Sequence, residues 1–149
     1  MVKPVLDQIN LICGDVEASL AFYRRLGVDI PEDNVWRTAT GAHHINAEPT
    51  GERPLHLELD STAFAQLWNP AWKGRTDLRG RIFVGFRVPA RGDVDAVFRD
   101  MMAGGYRGLQ EPIDAFWGSR FAIIEDPDGI AVGVISPALA DKKTPPPSV

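Results

Sequence analysis

Hydrophobic and polar positions along the chain follow two rhythms in turn, and the pair occurs twice. In residues 5–13, Ile9, Leu11 and Cys13 fall on one face, and Gln8, Asn10 and Ile12 on the other. A period of two predicts a half-buried strand. The period then lengthens. Val16, Leu20, Tyr23 and Leu26 form an apolar stripe with Phe22 at its border, which predicts an amphipathic helix. Asp15 suits its N-cap, Glu17 its positive end, Arg24 and Arg25 its negative end, and Gly27 its C-cap. Strands are predicted at 35–40 and 42–48 around Gly41, then a turn at 49–52. In a strand at 55–59, Leu55, Leu57 and Leu59 oppose His56 and Glu58.

The second half repeats this order. In residues 81–88, Ile82, Val84, Phe86 and Val88 oppose Arg81, Phe83, Gly85 and Arg87. A helix capped by Asp93 follows, with Val94, Val97, Phe98 and Met101 at helical spacing and Gly104 and Gly105 at its end. Residues 106–112 form a strand or an extended segment. A hairpin closes the half: Phe121 and Ile123 alternate with Ala122 and Ile124, and Ile130, Val132 and Val134 alternate with Ala131, Gly133 and Ile135. Asp126-Pro127-Asp128-Gly129 between them has the residues a tight turn needs. Asp15 answers Asp93, Phe22 answers Phe98 and Gly27 answers Gly104, but the shared element order is the stronger sign of a repeat.

The predicted fold is α+β, with two βαβββ modules at 1–60 and 80–137. A connector at 61–79 and a disordered tail at 138–149 complete the chain. The connector holds a short helix from 61 to about 67. Trp68 and Trp72 then flank Pro70, either as a lid on the core or as part of a binding surface. Each sheet packs its apolar face on its own helix, because that face gains from leaving water. The opposite faces are concave and mixed, and two such sheets paired side by side would enclose a ligand-sized cavity.

Composition narrows the function. A length of 149 residues suits one compact domain or two small fused modules, and 44% hydrophobic residues supply a core. A formal charge of −4 argues against a nucleic-acid partner. The single cysteine, Cys13, excludes an internal disulfide framework and reads as a buried small hydrophobe. No apolar run is long enough for a membrane span and no leader is evident, so a cytoplasmic protein is expected. No nucleophile–base pair stands out, and Ser119 shows no sign of activation. His43 and His44 are adjacent on a strand and point to opposite faces. At most one of them can join Gln8, His56 and Glu58 in a cluster. The plainer reading makes them surface or sheet-pairing residues.

The stretch Asp15-Val16-Glu17-Ala18-Ser19-Leu20-Ala21-Phe22-Tyr23-Arg24-Arg25-Leu26-Gly27 resembles the first helix of the vicinal oxygen chelate superfamily. That superfamily includes glyoxalase I, bleomycin-resistance proteins, thiol-transferring fosfomycin-resistance proteins and extradiol dioxygenases. Asp126-Pro127-Asp128-Gly129 with its flanking strands resembles the superfamily's C-terminal signature, and the likeness spans residues 4 to 137. It implies metal ligands on the concave faces of the first and last strands of each module. These positions fall on Gln8, on Glu58 or His56, on Phe83 and on Gly133. Phe83 offers no donor and Gly133 has no side chain, so no metal site and no cofactor are expected. The likeness then implies a small-molecule-binding protein with a degenerate metal site, taking an aromatic or cationic compound.

The expected ligand-binding residues are Gln8, Asn10, Trp36, His56, Glu58, Phe83, Arg87 and Trp117. Trp36 and Arg37 are neighbours on a strand and cannot both face inward. Trp117 resembles an aromatic site wall, with a core role as the alternative. A second reading is a lyase, isomerase or dioxygenase in which Glu58 is catalytic, together with Gln8 or a nearby histidine. A third is a module that lost its site and serves dimerisation. A homodimer is what the resemblance implies.

Overall fold

The computed structural model describes residues 8–48, 55–68 and 82–145; the side chains of Gln8 and of residues 66–68 lie outside that description. The chain divides into two compact units, Met1–Thr76 and Asp77–Val149. The expected turn at 49–52, Pro70, Trp72 and the last four residues fall outside the described residues.

In unit 1, strand β1 (Gln8–Cys13) leads into helix α1 (Val16–Leu26). Strands β2 (Val35–Thr38), β3 (Gly41–Asn46) and β4 (His56–Ser61) follow, and then helix α2 (Thr62–Trp68). The four strands form a mixed sheet in the order β1-β4-β3-β2, with β1 parallel to β4 and the other neighbours antiparallel. Helix α1 starts as its sequence predicts: the Asp15 carboxylate accepts from the Ala18 amide at 3.0 Å. Its buried side is wider than the predicted stripe. Phe22 is wholly buried beside Tyr23, and Ser19 is buried too. Leu11, Cys13, Ile45 and Leu59 bury the apolar face of the sheet.

Unit 2 repeats the topology. Strand β5 (Phe83–Arg87) is followed by helix α3 (Arg91–Ala103) and strands β6 (Arg107–Asp114), β7 (Arg120–Glu125) and β8 (Ala131–Ile135). The sheet order is β5-β8-β7-β6, again with one parallel pair, β5 with β8. Val84, Ala122, Ile124, Val132 and Val134 bury one face of the sheet, and Val94, Phe98 and Met101 are the buried residues of α3. The two four-stranded mixed sheets and their helices make the chain α+β, as predicted.

Four details differ from the sequence reading. Helix α3 is capped by Ala90 rather than Asp93. Asp93 sits three residues inside and its carboxylate accepts from the Ala90 amide at 2.8 Å. Strand β6 runs through Pro112 to Asp114, which is tolerated because β6 is an edge strand. Strand β4 continues to Ser61 rather than ending at 59. Residues 138–145, expected within a disordered tail, are tied down instead. The Leu139 amide donates to the Gly118 carbonyl at 3.1 Å and the Thr144 amide to the Phe116 carbonyl at 2.9 Å. The turn at 126–129 forms as expected, with the Asp126 carboxylate accepting from the amides of Asp128 and Ile130.

Candidate functional site

Two surfaces carry the side chains of interest, one on each unit. On unit 1, the ladder fixes which residues share the sheet face away from Leu59. Asn10 on β1 pairs with Glu58 on β4, His44 on β3 with Asp60, and Asn46 with Glu58. Alternation places Glu58 and Asp60 on one side of β4. The result is a connected polar network. Asn10 Nδ2 donates to Glu58 Oε2 at 2.6 Å and to Asp60 Oδ2 at 2.9 Å. His44 Nδ1 meets Asp60 Oδ1 at 2.5 Å, and Asn46 Nδ2 lies 3.1 Å from His44 Nε2. Asp60 is fully buried, whereas the His44 side chain keeps a quarter of its surface exposed.

Of the residues predicted from sequence on this unit, Asn10 and Glu58 come together. His56 is half-buried at the start of β4 and pairs through the backbone with Gln8, whose side chain is outside the described set. Trp36 lies on the edge strand β2, half exposed. Its ring packs against His43 at 5.4 Å and Phe64 at 5.5 Å. These rings, with Thr38 and Ala63, line a recess of about 250 Å³. The choice between Trp36 and Arg37 is settled by ion pairs. Arg37 reaches Glu17 on α1 and also Glu32, so it turns toward the helix side. The Arg37 hydrogen bond is the main cause holding the Glu17 carboxyl below its usual range.

On unit 2, Phe83 and Gly85 lie on one side of β5, and Gly85 pairs with Gly133 on β8. The Phe83 ring covers this pair. A Cβ built on Gly133 would lie 2.2 Å from Phe83 Cζ, and one on Gly85 would lie 3.3 Å from Phe83 Cε1. Glycine at 133 is therefore what lets the ring settle on the sheet. From Phe83 a row of aromatic rings continues. Phe121 on β7 is 6.2 Å away, Trp117 is 5.4 Å from Phe121, and Phe116 is 5.0 Å from Trp117. Phe83 is 48% exposed, Phe116 39% and Trp117 38%. Trp117 is therefore a surface residue rather than a core one. Arg87 lies on the same side of β5 as Phe83 by alternation, and it is exposed.

The metal positions implied by resemblance do not fit a metal on this unit. Phe83 and Gly133 supply no donor, and the ring occupies the space that a side chain at 133 would need. A divalent ion requires nitrogen, oxygen or sulfur ligands.

The sequence reading missed Asp60 and Asn46 on unit 1, and Phe116 and Phe121 on unit 2; it left open which of His43 and His44 joins Glu58, and the structure brings His44 there. A signal for Asp60 was present: His56, Glu58 and Asp60 continue one alternation, which ending the strand at 59 cut short. Phe121 had been placed in the hairpin alternation but not connected to Phe83.

This fold and these faces define a class. The family model described as Glyoxalase/Bleomycin resistance protein/Dioxygenase superfamily matches residues 5–134. The chain belongs to that superfamily. Comparison with curated proteins finds no match. Among solved structures, a glyoxalase/bleomycin resistance protein/dioxygenase from Nocardioides superposes with a TM-score of 0.70 at 18% identity, covering 94% of this chain and 87% of that one. TnmS3, an antibiotic binding protein from Streptomyces, gives 0.62 at 24% identity, with 93% and 99% covered. Lactoylglutathione lyase from Agrobacterium tumefaciens gives 0.60 at 19% identity, with 90% and 94% covered. At these identities the likeness speaks to the fold, which enzymes and binding proteins share. Among the described residues, no helix is long and apolar enough to cross a membrane.

Proposed function

We propose that this protein binds a small planar aromatic or cationic molecule on the aromatic face of unit 2. The observation that carries the reading is the Phe83 ring lying over Gly133. The position at which the superfamily resemblance implies a metal-binding carboxylate is here a floor for a ring. Exposed rings at 83, 116 and 117 offer flat faces and edges for stacking, and their quadrupoles attract cations. An antibiotic binding protein of the same fold is consistent with such a role. The proposal includes a homodimer, as the resemblance implies, to be read by sedimentation equilibrium.

The test uses proflavine, a planar cationic dye, as probe, titrated by calorimetry. Wild-type protein is expected to bind it. Phe83→Ala is expected to weaken binding at least about tenfold, as loss of an aromatic stack does. Because half of Phe83 is exposed, the variant is expected to keep its circular dichroism spectrum. Equal affinity in a folded Phe83→Ala protein contradicts the reading.

A second reading draws on the network of unit 1. There Glu58, held by Asn10, lies near a histidine oriented by a buried carboxylate, the type of setting in which a general base acts. In a lyase, isomerase or dioxygenase of this kind, Glu58→Gln is expected to lose at least about a hundredfold in turnover, in line with the usual size of general-base contributions. Undiminished turnover removes this reading.

A further inference from the structure

The polar face of unit 1 contains a ligand set that the aromatic face does not use and that shares only Glu58 with the metal positions of the family resemblance. One ligand atom each from His44, Glu58 and Asp60 lie within 4.8 Å of one another. Strand pairing holds them there: β4 supplies both carboxylates, and β3 sets His44 opposite Asp60. Asp60 is fully buried. Its side-chain partners among the described residues are the Asn10 amide and the His44 imidazole; no lysine or arginine of the described set bonds it.

We propose that His44, Glu58 and Asp60 bind a first-row divalent cation, with Asn10 as a further oxygen donor. Ligands on one such ion sit about 2.0–2.2 Å from it, so their mutual separations are roughly 3–4 Å, below the 4.8 Å that contains the three ligand atoms here. A buried carboxylate beside a second one is costly unless positive charge or donors stand between them. In the present arrangement the Asn10 Nδ2 group fills that place, bonded to both carboxylates. A half-turn of its carboxamide exchanges this N–H donor for Oδ1 and converts the bridge into a ligand. An imidazole nitrogen with two carboxylates and a carboxamide oxygen suits zinc, cobalt, nickel, manganese or iron(II), and the set contains no thiolate. Only Glu58 is shared with the four positions implied by resemblance. The site lies wholly on unit 1 and does not depend on the aromatic-face reading.

The full chain, stripped with a chelator, is titrated with cobalt(II) chloride and followed by calorimetry, visible absorption and melting temperature. One equivalent is expected to bind, with d–d bands of nitrogen and oxygen coordination and a raised Tm, because an ion that binds the native state stabilises it. Asp60 is buried, so the test rests on His44→Ala and Glu58→Gln, each checked for fold by circular dichroism. Each is expected to weaken cobalt binding at least about a hundredfold, since removing a ligand costs no less than disturbing an outer-shell partner. His43→Ala is the histidine control. His43 bonds Ser61 and Thr40 rather than this cluster, and the variant is expected to bind as wild type does. No cobalt binding at millimolar concentration, unchanged affinity in folded His44→Ala, or loss of binding in His43→Ala overturns the proposal.

Discussion

Phe22→Ala is expected to destabilise the protein by about 3–5 kcal/mol, the usual cost of truncating a buried phenylalanine. The ring is fully buried and packs edge-on against Tyr23, with centroids 5.0 Å apart at 79°. Truncation leaves a cavity beside Tyr23 in the buried side of α1. Loss of this size is a large share of the roughly 5–15 kcal/mol that typically holds a domain together. Urea denaturation gives the number. A lower midpoint with an unchanged slope is the expected form, since the native surface buried is nearly the same. A loss below about 1 kcal/mol would mean that the core closes around the gap, against the usual behaviour of such sites.

Gly118→Ala is expected to cost about 2–4 kcal/mol from two separate sources. Gly118 has φ of 95°, where an L side chain is strained by about 1–2 kcal/mol. The added Cβ would also lie 2.4 Å from the backbone oxygen of Leu139 and 3.0 Å from Lys143 Cγ. A backbone oxygen cannot rotate aside, so the segment after β8 must move. That segment is held by the Leu139 bond to the Gly118 carbonyl, which also accepts from Arg91 Nη1 at 2.9 Å. Hydrogen exchange should therefore show Leu139 and Thr144 losing protection before the amides of β7 and β8. Trp117 immediately precedes Gly118, so aromatic binding is expected to weaken in the same variant. Retained protection at Leu139 together with wild-type stability would contradict this account of the loop.

The repeat itself was legible in the chain because its evidence is local. Alternation, helical spacing, the Asp15 cap and the Asp126-to-Gly129 turn each state a backbone preference within a few residues. The aromatic floor was half legible. Alternation put Phe83 and Gly133 on one face, but only the parallel pairing of β5 with β8 shows the ring resting on that glycine. Phe121 escaped because ring proximity across strands depends on register, which no single strand reveals. The network of unit 1 was less legible still. His44, Glu58 and Asn10 come from three strands, and Asp60 lay one alternation beyond the predicted end of β4. The Asp93 cap was misplaced because an aspartate suits both the cap and the third helical position; in the structure its carboxylate serves the latter.

The central claim, that recognition belongs to the aromatic face of unit 2, is tested most directly by the indole N–H signals of the four tryptophans. They are assigned by single Trp→Phe variants and followed by nuclear magnetic resonance during proflavine titration. Trp117 sits in the row of rings with Phe121 on unit 2, whereas Trp36 lines the recess on unit 1. The account predicts a saturable shift of the Trp117 signal with Trp36 stationary. A shift of Trp36 with Trp117 unmoved would contradict it.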